Sequence, residues 1–311
     1  MKDIFQVAAE FLAKKSKPLL AVVGPTASGK TSAAITLAEK FGGEIINADS
    51  RQMFKGLPIA TAQPSESEKR DVPHHLFAFL QPNEDFSIGR WKNLAERKCR
   101  EISRRDKLPI LCGGSPLLVD ALTRNFQLPR IAPNENLRKE FQEFSNAQLH
   151  QHLKKLDPAA ANKFHENDRK ATLRAIEIFQ ISKQSKLAAT QAASHFENLI
   201  LGICVDRAKL YSAINQRVLQ MLERGLLGEV EHLLEKGFSK SDPALVSHGV
   251  RECVDFLQGT MPREEFIGKM QQNTRNFAKR QLTWWRRDQR IVWFDRENFA
   301  LAPGCEFVAS C

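Results

Sequence analysis

No apolar run in the chain approaches the about 18–20 residues that a membrane-spanning helix needs. The most apolar segment, Leu19 to Gly24, follows Pro18 and has the size of a strand. Nor is there a secretory signal: Met1 to Pro18 carries Asp3 and Glu10 among its lysines and lacks an apolar stretch ending at a small-residue cleavage site. A cytoplasmic protein is expected, with no membrane partner. There is also no CxxC pair. Cys99, Cys112, Cys204, Cys253, Cys305 and Cys311 lie far apart, which predicts reduced thiols and neither a zinc site nor a disulfide framework. His74 and His75 lack a third ligand at a fixed spacing, so a structural role is expected for them. No internal repeat or low-complexity tract is present.

What remains is an ordinary globular composition: 311 residues, 42% hydrophobic and 26% charged, enough to bury a sizeable core. Lys and Arg exceed Asp and Glu by 46 to 36, a formal charge of +10 that favours a polyanionic partner. Short apolar runs at Pro18–Val23, Glu44–Ala48, His75–Leu80, Leu108–Cys112, Leu199–Val205 and Ile291–Phe294 alternate with helix-compatible sequence. That rhythm predicts an α/β fold with a parallel sheet covered on both faces. Pro129 to Thr190 interrupts it and reads as a helical insertion. Apolar residues at helical spacing (Leu210, Ile214, Val218, Leu222) predict one long helix over Lys209–Lys236, ending near Gly237.

The sharpest motif is Gly24-Pro25-Thr26-Ala27-Ser28-Gly29-Lys30-Thr31, a GxxxxGK[ST] loop between a predicted strand and a predicted helix. Its fixed positions arise by chance in about one chain in a hundred, before that context is counted. Glycines let backbone N–H groups turn inward around an oxyanion, the helix N-terminus adds partial positive charge, Lys30 supplies a mobile cation, and Thr31 can ligate Mg²⁺. The loop itself does not say which phosphate it holds. Asp49 follows the second predicted strand, and a parallel sheet puts its strand end in the same crevice. A magnesium carboxylate, a general base and a helix N-cap are all open to it. Near the C-terminus, Lys269, Arg275, Lys279, Arg280, Arg286, Arg287 and Arg290 interleave with Phe277, Trp284 and Trp285. Cations with flat rings suit single-stranded RNA, and an amphipathic helix with buried rings and solvated charges fits the pattern equally.

Taken in order, Gly24–Thr31, Asp49-Ser50-Arg51-Gln52-Met53-Phe54, Thr61-Ala62-Gln63-Pro64, Pro73-His74-His75-Leu76, Gly113-Gly114-Ser115, Asn167-Asp168, Arg174-Ala175-Ile176-Glu177, Gly249-Val250-Arg251-Glu252 and Lys279-Arg280-Gln281-Leu282-Thr283-Trp284 resemble the tRNA dimethylallyltransferase (isopentenyltransferase) family. The resemblance covers about Pro18 to Asp295. It implies a P-loop core like that of the nucleotide kinases, with domain limits near 1–125, 126–194 and 195–311, the middle segment clamping the anticodon stem-loop and the last completing the core with a basic tRNA-binding region. It implies transfer of a dimethylallyl group from its diphosphate to N6 of adenosine 37, in tRNAs reading codons that start with U, by a Mg²⁺-dependent monomer. In that reading the loop from Gly24 through Thr31 holds a pyrophosphate leaving group, not ATP. Lys30 and Arg217 neutralise it, and Thr31 carries the metal. Asp49 accepts the N6 proton, and Ser115 can hydrogen-bond the reacting centre. Ser50, Arg51 and Gln52 lie with Asp49 against the flipped adenine, while Arg138, Lys170, Arg174 and Arg251 meet RNA, as do Lys279, Arg280, Gln281 and Trp284. Without the resemblance, Arg217 reads as a solvated helix-face arginine.

The chain departs from the family pattern in places. Gly113-Gly114-Ser115-Pro116-Leu117-Leu118 stands where GGTGLY is usual, and Pro116 fixes φ and removes an N–H. Gln63 replaces the lysine of TAKP, Ala171 replaces an arginine, and Val250 replaces an aromatic residue. The alternatives are an isopentenyltransferase acting on free adenine nucleotides, an ATP-using kinase, and a catalytically weakened RNA-binding homologue. The insertion and the basic C-terminal stretch favour tRNA, because a small nucleotide needs neither.

Overall fold

The apolar runs become parallel strands because both of their faces are covered. In a computed structural model, which describes residues 2–126, 131, 134–185, 194–297 and 299–300, the described residues form one six-stranded sheet. Its strands are β1 (Pro18–Val23), β2 (Gly43–Asn47), β3 (His74–His75), β4 (Leu108–Gly113), β5 (Glu197–Cys204) and β6 (Ile291–Asp295), ordered β3-β2-β4-β1-β5-β6 and parallel throughout. In β1, Leu19, Ala21 and Val23 face one apolar cluster while Leu20 and Val22 face the other.

The described helices are α1 (Ile4–Leu12), α2 (Lys30–Phe41), α3 (Glu66–Lys69), α4 (Ile88–Ser103), α5 (Pro116–Thr123), α6 (Glu135–Glu140), α7 (Asn146–Leu156), α8 (Pro158–Lys163), α9 (Arg169–Ser182), α10 (Arg207–Glu223), α11 (Leu226–Glu235), α12 (Val250–Leu257) and α13 (Arg263–Trp285). α1 and α2 cover one face of the sheet through Ile4, Ala8, Ala34 and Leu37. Helices α4, α5 and α10–α13 cover the other, through side chains such as Trp91, Leu122, Met221, Leu226, Val254 and Trp285. The chain divides into two compact units, Met1–Thr123 with His195–Cys311, and Arg124–Ser194. The second is a helical cluster around Phe141, Leu149, Leu153, Ala160 and Ile176. No described helix is long and apolar enough to cross a membrane.

Three expectations are corrected. The predicted strand His75–Leu80 is only His74–His75, because Leu76 and Ala78 take positive φ of 62° and 44°, which ends pleated pairing. The predicted helix Lys209–Lys236 is two helices, broken where Gly225 takes φ 95° and caps α11; glycine adopts that conformation without steric penalty. Cys204 is disulfide-bonded, where a reduced thiol was expected; spacing along the chain does not report which sulfurs the fold brings together. Cys99, Cys112 and Cys253 are free and buried. Cys305 and Cys311, and the insertion limits Pro129 and Thr190, lie outside the described residues.

Candidate active site

Parallel strands deliver their C-terminal ends to one edge of the sheet, so the segments that follow β1, β2 and β4 converge there. After β1 comes the loop Gly24–Thr31. Gly29 caps α2 at φ 85°, and the first N–H groups of α2 have no acceptor within the helix. Lys30 opens that helix and its Nζ lies 3.3 Å from the Pro25 carbonyl oxygen. The Ser28 hydroxyl is fully buried and has no hydrogen-bond partner among the described residues. After β2, the Asn47 side chain holds the turn: Oδ1 accepts from Asp49 N at 2.8 Å, and Nδ2 donates to the carbonyls of Asp49 and Leu76 at 3.0 Å each. Asp49 Oδ1 in turn accepts from Arg51 N. At the end of β4, Gly113 runs so close to the residue following β2 that a Cβ would stand 2.2 Å from the Ala48 carbonyl oxygen; only glycine fits. Ser115 Oγ accepts from Ser50 N at 3.2 Å. Pro116 is accommodated because it begins α5, where its missing N–H has no helical partner to lose.

A cavity of about 620 Å³ joins the segments after β1 and β2; Thr26, Ala27, Gly29, Lys30, Thr31, Asp49, Arg51, Gln52, Gln63 and Arg217 are among the residues lining it, and Ser115 is not. Burial lowers the Lys30 ammonium from its ordinary pKa, opposed by the nearby Asp49 carboxylate. Burial likewise lowers Arg217, again opposed by Asp49, and Arg217 reaches Thr26 Oγ1 at 3.4 Å. Burial brings Arg51 down to about 10, still well above neutral pH. One carboxylate thus faces three cations and the opening turn of a helix, a field suited to a polyanion. For Mg²⁺ the oxygen donors fit: Thr31 and Asp49 line the same cavity, and this ion takes one or two protein oxygens and completes its shell with water and substrate phosphates.

The sequence profile of the family described as IPP transferase matches residues 52–288, and that of isopentenyl transferase matches 17–75. The tRNA dimethylallyltransferase of Pelotomaculum thermopropionicum is 37% identical over 303 residues, 95% of each chain. The same-named protein of Acetivibrio thermocellus is 40% identical over 290 residues, 90% of this chain and 92% of its own. The chain belongs to the IPP transferase family. Among solved structures, the Bacillus halodurans tRNA isopentenylpyrophosphate transferase superposes with a TM-score of 0.69 at 36% identity, covering 90% of both chains. A eukaryotic dimethylallyltransferase acting on tRNA gives 0.78 at 27% identity, covering 90% of this chain and 74% of its own. The core therefore has the P-loop NTPase-like fold of this family.

The remaining site residues divide by surroundings. Gln52 and Gln63 brace a loop: Gln52 Nε2 donates to the carbonyls of Thr61 and Ala62, and Gln63 Nε2 to those of Gln52 and Phe54. Arg251 is exposed on α12, Lys279 and Arg280 are exposed on α13, and Trp284 is 48% exposed while Trp285 is fully buried. The tryptophan pair is therefore split, one ring in the core and one in solvent. Gln281, by contrast, is buried. In the helical unit, Lys170 is exposed, whereas Arg138 and Arg174 bind the fully buried Glu177 carboxylate at 2.7 and 2.9 Å. Burial alone would raise Glu177, but those two hydrogen bonds hold it below the usual carboxylate range.

Sequence reasoning missed His248 and Glu229. His248 meets the Arg51 guanidinium through Nε2 and its carbonyl oxygen, while Phe277 packs against the imidazole at 4.4 Å and the guanidinium at 4.2 Å. Burial, with Arg51 and Arg280, pushes the imidazole down to about 2. Glu229, raised by burial, accepts from Ile59 N and Ala60 N at 2.7 Å each and anchors the loop that Gln52 braces. Neither lies in a spacing pattern that would single it out.

Proposed function

We propose that the chain transfers a dimethylallyl group from dimethylallyl diphosphate to N6 of adenosine 37 in tRNAs reading codons that start with U, releasing diphosphate. The observation that carries this reading is the Asp49 carboxylate lining the same cavity as Lys30, Arg217 and the N-terminus of α2. An NTP kinase needs the cradle; an alkylation of an aromatic amine also needs a proton acceptor beside it.

The exocyclic amine of adenine is a weak nucleophile because its lone pair is delocalised into the ring. In the proposed reaction the donor's C1–O bond breaks, its electron pair leaves on the diphosphate, and the N6 lone pair forms the new C–N bond. The proton released from N6 passes to Asp49. Lys30, Arg217 and the N–H groups at the start of α2 stabilise the departing charge. Mg²⁺ held by Thr31 would supply further neutralisation of the phosphate oxygens. Arg51, clamped between His248 and Phe277, flanks Asp49 where the extruded base would enter. Extrusion takes a few kcal/mol, least in a loop. The exposed Lys279, Arg280 and Trp284 supply phosphate and stacking contacts, and Arg251 and Lys170 further cations.

The test is incubation of the protein with Mg²⁺, dimethylallyl diphosphate and an unmodified anticodon stem-loop. Prenylated RNA is expected, with Asp49→Ala lowering the rate by a factor of about 10²–10⁴ while RNA affinity changes little. ATP turnover without prenylated RNA would defeat the reading, and a near wild-type rate in Asp49→Ala would remove the base.

A further inference from the structure

Gln281 is 3% exposed, although its neighbours Lys279 and Arg280 face solvent. Both ends of its amide are engaged. Oε1 accepts from the Thr26 backbone N–H at 2.9 Å, and Nε2 donates to the Gly114 carbonyl at 2.8 Å. Only this amide orientation satisfies both partners, since one is a donor and the other an acceptor. Thr26 is held on its other side by Arg217, which reaches its hydroxyl at 3.4 Å. Gly114 is the matching half of the joint: a Cβ there would stand 2.3 Å from Gln281 Nε2 and 3.6 Å from Asp49 Oδ2. The amide therefore joins two segments, the anion-binding loop and the turn that leads into Ser115, and Gly114 of that turn lies beside Asp49.

We propose that Gln281 is a positioning residue: its single amide sets the separation between the phosphate-binding loop and the Gly113–Ser115 turn, and with it the distance from the donor's reacting carbon to the acceptor amine beside Asp49. This rests on the prenyl-transfer reading. The reaction needs two substrates bound on different segments to meet within about 3–3.5 Å, and a misplacement of about 1 Å can lower the rate about 10²-fold. The family resemblance assigns Gln281 to RNA; here both ends of its buried amide are engaged by backbone groups of the protein.

The experiment compares wild type with Gln281→Met, which keeps length and volume but removes both bonds, and Gln281→Glu, which keeps the acceptor for Thr26 and sets a carboxylate against the Gly114 carbonyl. Affinities are measured separately for inorganic pyrophosphate and for an unmodified anticodon stem-loop, and the single-turnover rate is measured with RNA and dimethylallyl diphosphate saturating. The expected result is a fall in saturated rate of about 10²-fold in both variants, with each affinity within about threefold of wild type. Lys279→Ala should behave oppositely, its loss falling on RNA affinity and its salt dependence. A saturated rate within about threefold of wild type would overturn the proposal, as would a loss of RNA affinity that accounts for the whole defect. Should Gln281→Met fail to fold, judged by its thermal transition, Gln281→Glu carries the same two outcomes. Absence of prenylated RNA with wild type would instead overturn the function itself.

Discussion

Asp49 and His248 show how one environment treats an acid and a base differently. Asp49 lies among Lys30, Arg51 and Arg217 and is positioned by Asn47. His248 packs on Phe277 and against an arginine, so protonating it would bury a second cation beside the first. Its folded pKa of about 2 lies far below the about 6.5 of a free imidazole. Between those values the unfolded chain binds a proton that the folded chain refuses, so the contribution is present above about pH 6.5 and is lost as pH falls toward 2. Urea midpoints measured from pH 7.5 to 5 should therefore drop in the wild type, and the drop should be shallower in His248→Asn. Identical slopes would show that the imidazole is not held neutral.

Elements decide what a charged side chain is free to do. Arg138 on α6 and Arg174 on α9 converge on Glu177, whose carboxylate is fully buried while both arginines keep contact with solvent. Removing the two arginines together strands a buried anion, which in other proteins lowers stability by about 3–5 kcal/mol. Removing Glu177 leaves cations that water can reach and should do less harm. Urea denaturation of the Arg138→Met, Arg174→Met double variant should show a loss in that range, exceeding that of Glu177→Gln. Equal losses would show that the arginines are not a brace for Glu177. The same scale explains why α10 and α11 read as one helix in the sequence: the apolar spacing runs through Gly225 without interruption, and only its φ of 95° reveals the turn.

Across the whole molecule, a net charge of +10 and the exposed cations of α13 imply RNA binding that weakens with salt. The slope of log affinity against log salt should become shallower by about one phosphate contact in Lys279→Ala or Arg280→Ala, measured with the anticodon stem-loop; unchanged slopes would return those charges to solvent. The parallel sheet and the loop Gly24–Thr31 could be read from the sequence because both are local. Buried strands show as apolar runs, and a phosphate loop needs its glycines, lysine and hydroxyl within one turn of chain. The joining of that loop to Gly114 through Gln281, 255 residues from Thr26, was decided only in three dimensions, as was the Arg51–His248–Phe277 stack. Such contacts form between side chains that carry no periodicity, and whether an amide faces water or a backbone N–H depends on how helices settle against the sheet, which no linear spacing encodes.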